Sequence, residues 1–230
     1  MVSPDRFAQG MTFEQYVAYI GTPDNLKREG SFNRPRKDYR DFFRKAYEAT
    51  QLTPAQREAL GWIAAQPDAP RRVLVVSEDW SSDCRRDVPV FARIAEAGGM
   101  EMRIFTRDGH RISSAPAPDP RESPNADVMA PFLRKRDGQT FQSIPIAAFF
   151  TKDFRHLYTY TEFPAIYRKD RVRGALNAPQ PGESKEQTAE RGLRDFFAFQ
   201  ETPFFRIYAS AAADEIVAML HERLRVGSLA

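Results

Sequence analysis

Cysteine is almost absent from this sequence. A single thiol in 230 residues, Cys84, excludes an internal disulfide, a cysteine-cluster metal site and a two-thiol redox cycle within one chain. Histidine is scarce too. His110, His156 and His221 are far apart and match no ligand spacing, so no metal and no cofactor is expected. The longest purely apolar run, Ile144 to Phe150, is far short of the roughly 20 residues that cross a bilayer. Residues 1–20 carry Asp5, Arg6 and Glu14 and lack the apolar core of a secretory signal, so a soluble cytoplasmic protein is expected. Lysine is sparse beside arginine: of 34 basic residues, 27 are Arg. The net charge is only +3, and the arginines are scattered among acids. The excess reads as a compositional habit. The two dense groups, Arg34-Pro35-Arg36-Lys37 and Arg134-Lys135-Arg136, read as solvated faces. Neither a nucleic-acid nor a membrane partner is expected. No glycine-rich phosphate loop and no Gly-x-Ser-x-Gly elbow occurs.

What is present argues for a folded chain. With 42% hydrophobic and 12% aromatic residues, disorder over the whole length is excluded. A chain of this size buries roughly 70% of its unfolded surface. The first 70 residues read as helical. Phe13, Tyr16, Val17 and Ile20 mark one helix face, and Tyr39, Phe42, Phe43, Ala46 and Tyr47 mark another. Thr53-Pro54-Ala55-Gln56 combines an N-cap Thr, a proline at the first helical position and a capping-box Gln. Residues 21–35 read as a loop. From Arg72 the pattern changes. Val73–Val76 reads as a buried strand, Ser82 to Ala97 as a helix ending at Gly98-Gly99, and Met100 to Phe105 as a second strand. A proline-rich loop over 111–124 leads to a helix opening at Ser123-Pro124 and running through Leu133. Ile146–Phe150 and His156–Tyr160 then read as a hairpin. Past Tyr160 a loop is expected around Gly174 to Gly182, with helices over Glu186–Phe199 and Ile207–Leu224. The expected division is a helical extension over 1–70 and an α/β domain with added C-terminal helices over 71–230.

The most informative stretch is Trp80-Ser81-Ser82-Asp83-Cys84 followed by Pro89, where a buried strand turns into a helix N-terminus. Backbone N–H groups and the helix dipole favour an anion there. Asp79, Asp83 and Asp87 recur at four-residue spacing and read as acids favoured by that N-terminus rather than as metal ligands. Together with Ser143-Ile144-Pro145 before a strand and the β-α-β-α-β-β order, this stretch resembles the thioredoxin family. That family has a Trp, a Cys-x-x-Cys pair at the helix start, a kinking Pro five residues after the second Cys, and an Ile-Pro segment whose proline is cis. Within it, Val73 to Asp108 is similar to a bacterial subfamily with a helical N-terminal extension and a Trp-Cys-x-Asp-Cys site.

The resemblance implies a thioredoxin-like fold, a central mixed sheet flanked by helices. It puts Ser81 at the attacking position and Cys84 at the resolving position. It also implies a substrate surface from Trp80, Ser82, Asp83, Ile144 and Pro145, with protein or peptide thiols or disulfides, or glutathione, as partners. Ser81 departs from the family. A hydroxyl is a far weaker nucleophile than a thiolate near neutral pH, so thiol–disulfide exchange is expected to be weak, one-thiol or lost. The alternative is a non-catalytic module that binds peptide or protein in the same groove. The aromatic faces of the added helices must be buried, either within this chain or in a homodimer.

Overall fold

A computed structural model of the chain describes residues 2–31 and 34–226. Five helices come first: α1 (Pro4–Ala8), α2 (Phe13–Ile20), α3 (Pro23–Leu26), α4 (Arg40–Ala49) and α5 (Pro54–Ala64). Both α2 and α5 open on a full capping box, Thr12 with Gln15 and Thr53 with Gln56. Strand β1 (Pro70–Ser77) follows, then α6 (Ser82–Ala97), β2 (Glu101–Thr106), α7 (Ala126–Met129) and a single 3-10 turn at Ala130–Phe132. A small hairpin of β3 (Arg134–Arg136) and β4 (Gln139–Phe141) leads to β5 (Ile146–Thr151) and β6 (His156–Thr161). Helices α8 (Lys169–Leu176), α9 (Lys185–Phe199) and α10 (Pro203–Val226) complete the chain.

The central sheet has the order β2-β1-β5-β6. Strands β1 and β2 are parallel, with Val75 opposite Ile104, while β5 pairs antiparallel with both β1 and β6. Val73, Leu74, Val75 and Val76 are fully buried, and every residue of β5 is buried. This is why β1 reads as a continuous β-branched run rather than an alternating one. Burying each such side chain contributes about 2 kcal/mol. Helix α6 packs on β1 and β2, and α4 and α10 pack on α6. One hydrophobic cluster runs from Phe7 and Tyr16 through the sheet to Ile216 and Leu220, so the helices at both ends share the core of the sheet. Among the described residues no helix is long and apolar enough to cross a membrane.

The secondary structure departs from the sequence reading in four places. The segment read as a loop over 21–35 contains α3, a single turn capped by Thr22 and started by Pro23. The helix expected from Ser123 through Leu133 is only α7 and one 3-10 turn, because Asn125 is the N-cap and Pro131 removes a donor. The group Arg134-Lys135-Arg136 is exposed but is a strand. It pairs with β4 across Asp137 and Gly138, both with positive φ (52° and 76°). An Asp-Gly pair between short strands is itself a strong type I′ hairpin signal. Finally, α8 falls across the expected 174–182 loop. It buries none of its residues, and its apolar positions are limited to Val172, Ala175 and Leu176, a short signal beside Gly174.

Candidate functional site

The strand-to-helix turn of β1 and α6 is built on buried charge. Glu78 is fully buried and Asp79 is 2% exposed. Two arginines from the N-terminal segment neutralise them. Arg28 Nη2 donates to Glu78 Oε1 at 2.6 Å, and Arg36 Nη1 donates to Glu78 Oε2 at 2.8 Å and also to Asp79. Asn25 Nδ2 adds a bond to Asp79, and the Asp108 N–H donates to Glu78 Oε1. Burial still outweighs these partners and pushes both carboxyl pKa values up. Arg36 therefore does not belong to a solvated face, as the sequence suggested. It is drawn in by two carboxylates 42 and 43 residues away.

Beside this cluster, Ser81 is the N-cap of α6, its Oγ accepting the Cys84 N–H at 3.4 Å. Cys84 is fully buried. Its Sγ accepts the Glu78 N–H at 3.4 Å, and burial pushes the thiol up to about 12. The helix N-terminus favours a thiolate, but here desolvation wins. Pro89 lies inside α6, and the Ile144–Pro145 peptide bond is cis.

Farther along α6, Asp83 and Asp87 are buried around Arg86. Arg86 bonds Asp83 at 3.1 Å and both oxygens of Asp87 at 2.6 Å. Lys169 of α8 reaches Asp83, and Tyr160 of β6 donates to Asp87 at 3.0 Å. The acids at four-residue spacing are thus held by ion pairs. Among the described residues no group of His, Cys, Asp or Glu is placed to hold a metal ion.

Burial pushes Asp87 up to about 6, against the support of Arg86 and Tyr160. The folded chain therefore takes up this proton at a higher pH than the unfolded chain, where Asp titrates near 3.8. The stability contribution of the raised pKa is present below about pH 4 and is lost as pH rises through about 6. Comparing the thermal midpoints of the wild type and Asp87→Asn from pH 4 to 7 tests this. The wild type is expected to lose ground to the variant as pH rises. A difference that stays flat or grows contradicts it.

A groove of about 780 Å³ opens beside this turn. Of the residues singled out from the sequence, Trp80, Ser81, Asp83 and Ile144 line it. Cys84, Ser82 and Pro145 do not. Its polar residues missed by sequence reasoning include Arg107, Glu162 and Lys169. They come from loops and element ends, and only the fold brings them together. Trp80 is held from two sides. Its Nε1 donates to Asp108 at 3.1 Å, and the Arg107 guanidinium lies over its ring at 5.4 Å. Arg107 in turn bonds Asp108 and the Gln142 carbonyl. Elsewhere on the lining, no backbone hydrogen bond is made by the N–H or C=O of Ile144 among the described residues.

The mixed four-stranded sheet, a helix with Pro89 in its interior and a cis proline directly after Ile144 define a thioredoxin-like architecture. A family model described as Thioredoxin matches residues 27–115, the stretch that carries Arg28, Arg36 and the whole β1–α6–β2 unit. The fold is thioredoxin-like, and residues 27–115 match that family. No curated protein matches the chain. Among solved structures, a Pseudomonas aeruginosa protein of unknown function is similar at 16% identity and a TM-score of 0.54, covering 96% of this chain and 98% of that one. An HIV epitope-scaffold is similar at 15% identity, with the same TM-score and coverage. At such identity the likeness concerns the fold.

Proposed function

We propose that this protein is a thioredoxin-fold binding module. It docks an extended peptide or protein segment in the groove between Trp80 and Ile144 and does not run thiol–disulfide exchange. Cys84 carries the reading. A fully buried thiol pushed up to about 12 has roughly one thiolate in 100,000 molecules at pH 7, and no path for a disulfide to reach it. Ser81 supports it, because its side chain is engaged in the helix cap. The unpaired Ile144 backbone supports the docking half. An extended segment entering there gains strand-like hydrogen bonds without any thiol.

Selection from a phage-displayed library of cysteine-free dodecapeptides tests the proposal. Peptides are expected to bind wild type and Cys84→Ala alike, and to lose at least tenfold in affinity to Trp80→Ala. A library yielding no binder, or binders that require Cys84, would overturn it.

A further inference from the structure

We propose that a second cavity, between α4, α6 and α10, binds a small monocarboxylic acid with an apolar body, its carboxylate paired with Arg85. The cavity holds about 570 Å³, within the usual size of a small-molecule pocket, and shares no lining residue with the Trp80–Ile144 groove.

Arg85 lines it and is only 2% exposed. Arg28, Arg36, Arg86 and Arg107 are also buried, and each is paired with a carboxylate. Arg85 has no such partner among the described residues. Its Nη1 donates to the carbonyls of Asp79 (3.0 Å) and Trp80 (2.8 Å), and its Nη2 to Gln200 Oε1 (2.8 Å). Its buried Nε finds no acceptor. The rings of Tyr39 and Phe42 flank the guanidinium at 4.2 and 5.6 Å.

A buried cation without a counter-charge is costly, and an anion entering beside it lowers that cost. Neighbouring acids cannot serve, because Asp79 is engaged by Arg36 and Asp83 by Arg86 and Lys169. Burial pulls the Arg85 pKa down, in keeping with a guanidinium that lacks a paired carboxylate. The remaining charges on the cavity also favour an anion. Lys45 and Arg206 stand at its exposed rim against Glu201, and Arg86 is already neutralised. The walls favour an organic anion over an inorganic one, because Phe42, Leu52, Val90 and Phe205 line the cavity. A carboxylate matches the planar guanidinium edge, and an apolar body covers those walls.

Titration calorimetry on the full chain tests this with octanoate, octanamide and inorganic phosphate as probes. Octanoate is expected to bind saturably, with octanamide at least tenfold weaker and phosphate unable to compete. Arg85→Met is expected to weaken octanoate at least tenfold. Ala209→Phe keeps Arg85 and fills the space with a ring, since Ala209 lines the cavity, and is expected to abolish binding. Should Arg85→Met fail to fold, Ala209→Phe and the octanamide comparison decide. The proposal fails if octanoate does not bind, if octanamide binds as well, if phosphate competes, or if the Ala209→Phe affinity is unchanged.

Discussion

Arg36→Ala is expected to destabilise the protein by about 3–5 kcal/mol at neutral pH, because it strips a buried ion cluster of a shared cation. Arg36 bonds both Glu78 and Asp79, whose side chains are 0% and 3% exposed. Arg28 remains paired with Glu78, and Asn25 still donates to Asp79, but Asp79 loses its ion pair. For a chain of this length the thermal midpoint should fall by about 10 °C. The pH dependence identifies the cause. Both carboxyl pKa values are already raised by burial, and losing Arg36 raises them further. Protonation then relieves the variant, so its deficit should be largest at pH 8 and shrink as pH falls toward 5. Arg40→Ala is the control. Its pair with Asp38 is on the surface, and no change is expected. An Arg36→Ala variant as stable as Arg40→Ala would show that the cluster does not hold the turn.

This result bears on the purpose of the N-terminal segment. Glu78 and Asp79 lie at the end of β1, immediately before Trp80 and Ser81. A turn with two buried acids needs cations, and Arg28 and Arg36 supply them. The N-terminal segment thus supplies the counter-charges of this turn.

Ser81→Cys is expected to raise insulin reduction by dithiothreitol at least tenfold over the wild type. The substitution places a thiol at the cap of a helix N-terminus, where the dipole and free N–H groups lower a thiol pKa. The hydroxyl it replaces already accepts the Cys84 N–H at 3.4 Å, which puts residue 81 beside Cys84. Trp80 and Ile144 would still line the groove. Cys84, unreachable from outside, would then attack a mixed disulfide on residue 81 from within, the resolving role it lacks at present. A variant that forms no disulfide between residue 81 and Cys84 and reduces no insulin would mean that the missing nucleophile does not explain the missing chemistry.

Much of this architecture is legible in the sequence because it is locally encoded. The Val73–Val76 run, the Thr53–Gln56 capping box and the Trp80-to-Pro89 spacing each lie within a few residues, and each stands where the sequence puts it. The ion network is not legible. Arg28 meets Glu78 across 50 residues and Arg107 meets Gln142 across 35, and no local periodicity reports such pairings. An arginine excess that reads as composition conceals five buried guanidiniums. The Asp137-Gly138 turn carries a local signal, but the charges around it point to surface rather than to strand.

Alkylation of Cys84 measures directly whether the buried thiol is sealed. Iodoacetamide labelling of the native protein at pH 7.5 should proceed at least 100-fold more slowly than in 6 M guanidinium chloride. It should show no apparent titration below about pH 9, as a thiol pushed up to about 12 requires. Rapid native labelling with an apparent pKa below about 8.5 would contradict the account and make Cys84 a working one-thiol site.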